Sequence, residues 1–266
     1  MAPRFGKYQW FTSKDLQSLG RLGKIYSSLI GYTQIGGYGR SLWFRKIIQK
    51  ENISFKNALD AGCGCGEYAF YLAEKFPGSF IMGIDYDQEN IDKCQKIKQM
   101  SGLTNVAFKR LDLRDWDVTE EYDFIYSIDV LEHIKENKEV LNRFYNALQP
   151  DGFLYIRIPT PIQKRIFSEK YFESHKLWAR EEHVGQHYDL PNLKHDLENI
   201  GFTIIFSSYT NGFWGRLAFE LDHLLRNKSR VLAAFCLPVL KFFFHIDLLT
   251  SSNKKEGNGI VILARK

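Results

Sequence analysis

Three glycines at alternate positions, Gly62, Gly64 and Gly66, lie within ALDAGCGCGEY, the stretch from Ala58 to Tyr68. Glycine at that spacing lets backbone come close to a ligand where any side chain would obstruct it. A dinucleotide loop has its third glycine one place later, so that a helix N-terminus faces a pyrophosphate. Glu67 takes that place here, and Asp60 stands on the other flank of the loop. Two carboxylates repel a phosphate and attract a cation. The loop therefore suits a nucleoside with a positively charged tail. Downstream, Asp85 closes the apolar run FIMGID, where a carboxylate accepts hydrogen bonds from ribose hydroxyls. Asp87 precedes QENI and reads instead as a helix cap. His133, in SIDVLEHI, is either a general base or a packed residue that fixes a helix start. An imidazole can take a proton from a hydroxyl at neutral pH.

S-adenosylmethionine has the shape this loop asks for. The ordered segments LDAGCGCGEY, GIDYD, LDL and YDFIYSIDVLEHI resemble the motifs of the Rossmann-like (class I) S-adenosylmethionine-dependent methyltransferases that act on small molecules, lipids and glycans. The resemblance is tight over about Asn57–Pro161 and loose over Glu182–Phe202. It implies S-adenosyl-L-methionine as cofactor, S-adenosyl-L-homocysteine as product, and methyl transfer, with oxygen the commonest acceptor atom. Asp60, Gly62, Cys63, Gly64, Gly66, Asp85 and Tyr86 would then surround the amino-acid and ribose parts. Asp112 would accept from the adenine amino group, Leu113 would offer its amide to the ring, and Ser127 and Ile128 would lie beside the sulfonium at a strand end. His133 and His187 are the candidate catalytic residues, with His183 and Tyr188 facing the acceptor. Relatives that cyclopropanate lipids share the Glu132–His133 pair, and a non-catalytic cofactor-binding scaffold would keep the same motifs. The asparagine-proline-proline-aromatic motif of nucleic-acid-methylating relatives is missing after the fourth strand, so no nucleic-acid partner is expected.

A chain of 266 residues holds one α/β domain with decorations. Its charge is unevenly spread. Residues 1–58 carry ten Lys/Arg against two acids, residues 59–150 ten against seventeen, and residues 151–266 sixteen against twelve. Basic flanks steer anions or face an anionic membrane; they are also the ordinary look of solvated helices. The four cysteines show neither disulfide nor metal spacing, which fits a reducing, cytoplasmic setting. MAPRFGKYQWF lacks the apolar core of a secretory signal. The nearest approach to a membrane span, residues 231–249, is interrupted by Pro238, Lys241, His245 and Asp247. A His-x3-His spacing at His183 and His187 lacks a third ligand, so no metal is expected.

From Asn57 strand and helix alternate, which argues for a parallel sheet wrapped by helices. Strands are expected at 57–61, 79–85, 106–111, 122–127, 153–158, 202–207 and 259–264. A continuous helix is expected at about 131–148. The fold class is α/β: a doubly wound, seven-stranded, mostly parallel sheet with an antiparallel last strand. Residues 1–56 form a helical N-terminal cap, and 57–266 the cofactor domain. Within it, 161–190 is a roof over the acceptor and 211–257 an apolar helical insertion between strands six and seven. In the cap, Leu16, Leu19, Leu22, Ile25, Tyr26 and Leu29 mark an amphipathic helix over 13–30, and the glycines of GYTQIGGYGR a loop. Tyr32, Tyr38, Arg40 and Trp43 are candidates for the acceptor rim. The insertion's second helix, apolar almost all round, must be buried in protein, in a homodimer, or in the surface of an anionic membrane. The acceptor is a small or lipid-linked molecule.

Overall fold

The computed structural model describes residues 3–186, 188–250 and 255–266. Seven strands form one sheet: Asn57–Ala61 (β1), Phe80–Asp85 (β2), Val106–Arg110 (β3), Tyr122–Ile128 (β4), Leu148–Pro159 (β5), Thr203–Thr210 (β6) and Gly259–Arg265 (β7). Their order is β3-β2-β1-β4-β5-β7-β6, with β7 antiparallel to both neighbours. This is the doubly wound sheet expected from the sequence. Residues 58–61 of β1 and 260–264 of β7 are buried throughout, as strands covered on both faces must be. The chain reverses direction across the sheet between β1 and β4, which opens a crevice beyond their carboxyl ends.

On one face the core gathers around Phe44, which touches Tyr68, Phe124, Tyr126 and Tyr155 edge-on or stacked, with ring centroids 5.0–6.3 Å apart. Phe44 comes from Ile35–Lys50 (α4), so a helix of the N-terminal cap is itself one of the layers covering the sheet. Glu67–Lys75 (α5) and Gln88–Ser101 (α6) complete that face. Asn137–Ala147 (α7) and Leu190–Ile200 (α9) cover the other. Trp43 is buried against Phe206, so it packs rather than lining a rim.

Three expectations are corrected. The glycine-rich segment 31–40 is loop only to Gln34; Gly36, Gly37 and Gly39 lie inside α4. A Cβ on Gly39 would sit 2.2 Å from the Phe244 ring. The glycines are there for close contact, and that packing outweighs their low helix propensity of about 1 kcal/mol each. The helix expected over 13–30 is two pieces, Lys14–Ser18 (α2) and Gly20–Ile30 (α3), preceded by the short Gln9–Thr12 (α1) and parted at Leu19 and Gly20, the latter with φ +54°. The long helix at 131–148 is a 3₁₀ turn, Leu131–His133, then extended Ile134, then α7. The break frees the Glu132 carbonyl to accept from Gly185 N–H at 2.9 Å.

The insertion folds as two antiparallel helices, Phe213–Lys228 (α10) and Arg230–Leu249 (α11), packed on α4 through Ile35, Leu42, Ala218, Leu237, Leu240 and Phe244.

Candidate active site

The glycine loop turns between β1 and α5 with Gly62, Gly64 and Gly66 at φ of +81°, +51° and +76°. The three glycines do different work. A Cβ on Gly62 would strike Val130 at 2.4 Å, and one on Gly66 would meet Phe108, Phe70 and Cys94 within 3.0 Å. At Gly64 nothing lies within 4 Å. Gly64 is therefore the position that faces open space. Its N–H donates to Asp85 Oδ2 at 2.7 Å, while Asp87 N–H donates to Asp85 Oδ1 at 2.9 Å. Asp85 thus ties the loop to the end of β2. Asp87 caps α6, accepting from Glu89 N–H, as its place before QENI suggested. Gly62 and Cys63 N–H both donate to the Ile84 carbonyl. Cys63 turns its thiol into the core near Cys94, so its side chain is not at the crevice.

Around the loop lie buried polar atoms that no group among the described residues satisfies: Asp60 Oδ2, Glu67 Oε1 and Ser127 Oγ. Burial pushes the Asp60 carboxyl up to about 8, with Asp85 adding to the rise and the Tyr126 hydroxyl opposing it. Burial likewise lifts Glu67 to about 7, against the Gly6 N–H that donates to it. Two buried acids that ionise reluctantly, beside an unpartnered hydroxyl, fit a cationic group that would let them charge. The residues present therefore suit the sulfonium and ammonium of S-adenosylmethionine.

A pH dependence follows. With folded-state values raised above the unfolded ones, the free protein is most stable below about pH 4 as far as these groups are concerned, and that contribution is lost as pH rises through about 7–8. A bound cation favours the ionised forms, so binding releases protons and tightens from pH 6 to pH 8, by about tenfold or more. Calorimetry in buffers of different ionisation enthalpy reads the proton release directly; affinity flat over that range would disprove the coupling.

Beyond the carboxyl end of β4, Asp129 adopts φ +55° and holds two guanidiniums: Arg40 Nη1 at 2.8 Å from Oδ2, and Arg157 on Oδ1. Burial works to raise the Asp129 carboxyl, but Arg157 and Arg40 hold it below its usual range. Asp129 lines a cavity of about 610 Å³ together with Glu132, His133, Trp178 and His183 and with Arg165, Arg216, Phe219 and Glu220. The insertion and the roof are joined there. Glu220, fully buried on α10, accepts from Ile166 and Phe167 N–H at 2.8–3.1 Å. The roof includes Glu173–Glu182 (α8), and its far end is strapped to the 3₁₀ turn. Asn137 Nδ2 donates to the Leu131 and Gln186 carbonyls, and Tyr188 donates to Asn137 Oδ1.

His133 Nδ1 lies 3.0 Å from the Glu182 carbonyl. A carbonyl only accepts, so Nδ1 carries the hydrogen and the neutral ring keeps its lone pair on Nε2. Burial and the Asp129 charge raise Glu132 to about 8. Glu132, His133 and His183 bring one ligand atom each to within 4.8 Å of one another, a set that differs from the His183/His187 spacing weighed in the sequence.

Tyr188 is buried in the core and does not face the cavity. Asp112 follows β3, but its carboxylate is engaged by the Arg114 guanidinium at 2.6–3.1 Å and by Arg114 N–H. Leu113 is buried, Ile128 is half-buried, and Tyr86, just after β2, is 71% exposed. His187 lies outside the described residues. Arg157, Arg165, Arg216 and Glu220 were not foreseen as site residues; Arg157, a charge inside the apolar run of β5, is the one with a sequence signal.

A family model described as a methyltransferase domain matches residues 54–203. The chain is 27% identical over 215 residues to phosphoethanolamine N-methyltransferase 1 of Arabidopsis thaliana, covering 77% of this chain and 40% of that protein. It is 27% identical over 108 residues to trans-aconitate 2-methyltransferase of Agrobacterium fabrum, covering 41% of this chain and 40% of that one. The chain thus spans well under half the length of these curated relatives. Among solved structures, Haemonchus contortus phosphoethanolamine N-methyltransferase 2 in complex with S-adenosyl-L-methionine superposes with a TM-score of 0.64 at 19% identity, over 99% of this chain and 60% of that one. That is a likeness of fold.

Proposed function

The chain belongs to the methyltransferase-domain family, and from that premise we propose that it methylates an anionic small-molecule acceptor, free or carried on a lipid or glycan, at an oxygen atom. When bound, S-adenosylmethionine supplies an electrophilic methyl on its sulfonium and leaves as S-adenosylhomocysteine. In this chain Asp60, Gly64, Glu67, Asp85 and Ser127 would hold it.

The charge balance of the acceptor cavity carries the reading. Asp129 is spent on Arg40 and Arg157, Glu220 on two backbone amides, and Glu132 is raised to about 8 and so largely neutral at pH 7. Arg165, over the Phe172 ring at 4.6 Å, lies in the lining beside Glu169 to meet an anion; Arg216 lines it too, with Glu256 Oε1 3.5 Å from its Nη2. Trans-aconitate in the name of one relative is an acceptor of that charge. Because the sulfonium is already activated, holding the acceptor in line and dry supplies most of the acceleration, on the order of 7–11 kcal/mol in favourable cases. If the acceptor is a hydroxyl, its proton passes to His133 Nε2. No metal is needed for this chemistry.

Label from methyl-labelled S-adenosylmethionine, incubated with separated lipid, glycan and metabolite fractions, is expected in an anionic, acidic-fraction product. His133→Gln is expected to lower kcat about a hundredfold or more with a hydroxyl acceptor, and a chelator to leave the rate unchanged. Label in no fraction would refute the reading. Activity lost to the chelator and restored by a divalent ion would reassign Glu132, His133 and His183 as metal ligands.

A further inference from the structure

Two helices present their apolar sides to solvent. In α3 the buried residues are Gly23 and Ser27, whereas Leu22, Ile25 and Leu29 are 73%, 56% and 75% exposed. That is the reverse of how an amphipathic helix sits on a soluble core. A Cβ on Gly23 would meet the Leu16 carbonyl at 2.0 Å, so the small face is fixed inward by close backbone contact. In α11, Ala233, Leu237, Leu240 and Phe244 face the protein, while Val231, Phe235, Val239 and Phe242 are 56–80% exposed on the other side. Helix α11 is long and apolar enough to cross a membrane, yet only 28% of its most apolar stretch is buried. The two helices lie side by side: Tyr26 Oη donates to the Ala234 carbonyl at 3.1 Å, and Lys241 Nζ to the Ile30 carbonyl at 2.6 Å.

The exposed charges that α3, α10 and α11 present beside this surface are positive. Arg21, Lys24, Lys228 and Arg230 are exposed. Helix α3 has no acid, and the three acids of α10 and α11, Glu220, Asp222 and Asp247, are buried. Exposed leucine and phenylalanine framed by lysine and arginine match the boundary between acyl chains and anionic headgroups. A second copy of the chain would bring the same positive charges face to face. A helix pair anchored on α4 lies along a bilayer more readily than it crosses one, because its inner face is already packed.

We propose that α3 and α11 form a docking surface for an anionic phospholipid bilayer, on which the protein sits peripherally. Helix α10, partner of α11, also supplies Arg216 and Phe219 to the acceptor cavity, so docking would bring that cavity near the bilayer. The inference does not depend on methyl transfer, since vesicle binding is measured without turnover.

The test is sedimentation of the full chain with vesicles of phosphatidylcholine alone or with phosphatidylglycerol added. Wild type is expected to bind the phosphatidylglycerol vesicles, with affinity falling as salt rises. Phe235→Ser/Phe242→Ser, at exposed positions, is expected to weaken binding at least about tenfold with an unchanged thermal midpoint. Arg21→Gln/Arg230→Gln is expected to lose the preference for anionic lipid. Wild type that ignores both vesicle types overturns the proposal. So does a dimer that the phenylalanine variant dissociates, which would assign the surface to a second copy.

Discussion

Alanine at position 85 is expected to leave a folded chain that no longer binds S-adenosylmethionine measurably. Asp85 receives the N–H groups of Gly64 and Asp87, and through them shapes the glycine loop. Hydrogen bonds to a charged group contribute about 1.5–3 kcal/mol each, and the same carboxylate is the ribose ligand expected from its strand-end position. Losing both roles amounts to at least about a hundredfold in affinity. Gly64→Val is expected to act alike by a separate route. Its side chain would enter the space that is open beyond Gly64, at a backbone cost of about 1–2 kcal/mol for the left-handed conformation. Gly66→Ala, by contrast, drives a methyl into Phe108, Phe70 and Cys94 and should destabilise the fold itself. Isothermal calorimetry with a thermal-melting control separates these outcomes. Unchanged affinity in Asp85→Ala would sink the assignment of the loop.

The second large effect is expected at Asp129. Replacing it with asparagine tolerates φ +55° but removes the charge that two guanidiniums share. Arg157 is 6% exposed and would be left buried without a counter-charge, a loss of about 3–5 kcal/mol. The Arg40 side chain is 34% exposed, so its share is closer to the 0–1 kcal/mol of a surface pair, at about that size. The midpoint should fall by roughly 10 °C, and methyl transfer should fall with it because the cavity floor loses its order. The double variant Asp129→Asn/Arg157→Gln should recover stability but not activity. A midpoint unchanged in the single variant would show that Asp129 is not the counter-charge that holds Arg157.

The loop and its acids could be read from the chain because they are local. Gly62, Gly64 and Gly66 occupy one turn, Asp85 follows one apolar strand, and the alternation of strand and helix is carried by periodicity over five to fifteen residues. Asp87 could be read as a cap for the same reason. Reading failed where a residue's role is set by a partner far along the chain. The glycines of α4 look like loop until Phe244, some two hundred residues later, is placed against Gly39.

Hydrophobic period, glycine spacing and strand-end acids are local constraints on backbone and charge, so the chain alone specified seven strands in a mostly parallel, doubly wound sheet and marked the glycine loop as the expected nucleoside site. The acceptor side took its form from contacts between distant elements. Asp129 meets Arg40 and Arg157 from two other elements, and Glu220 of the insertion ties down a roof that starts more than fifty residues before it. Only the tertiary structure decided that α3 turns its leucines outward, since periodicity gives a helix an apolar face without saying whether protein or solvent meets it.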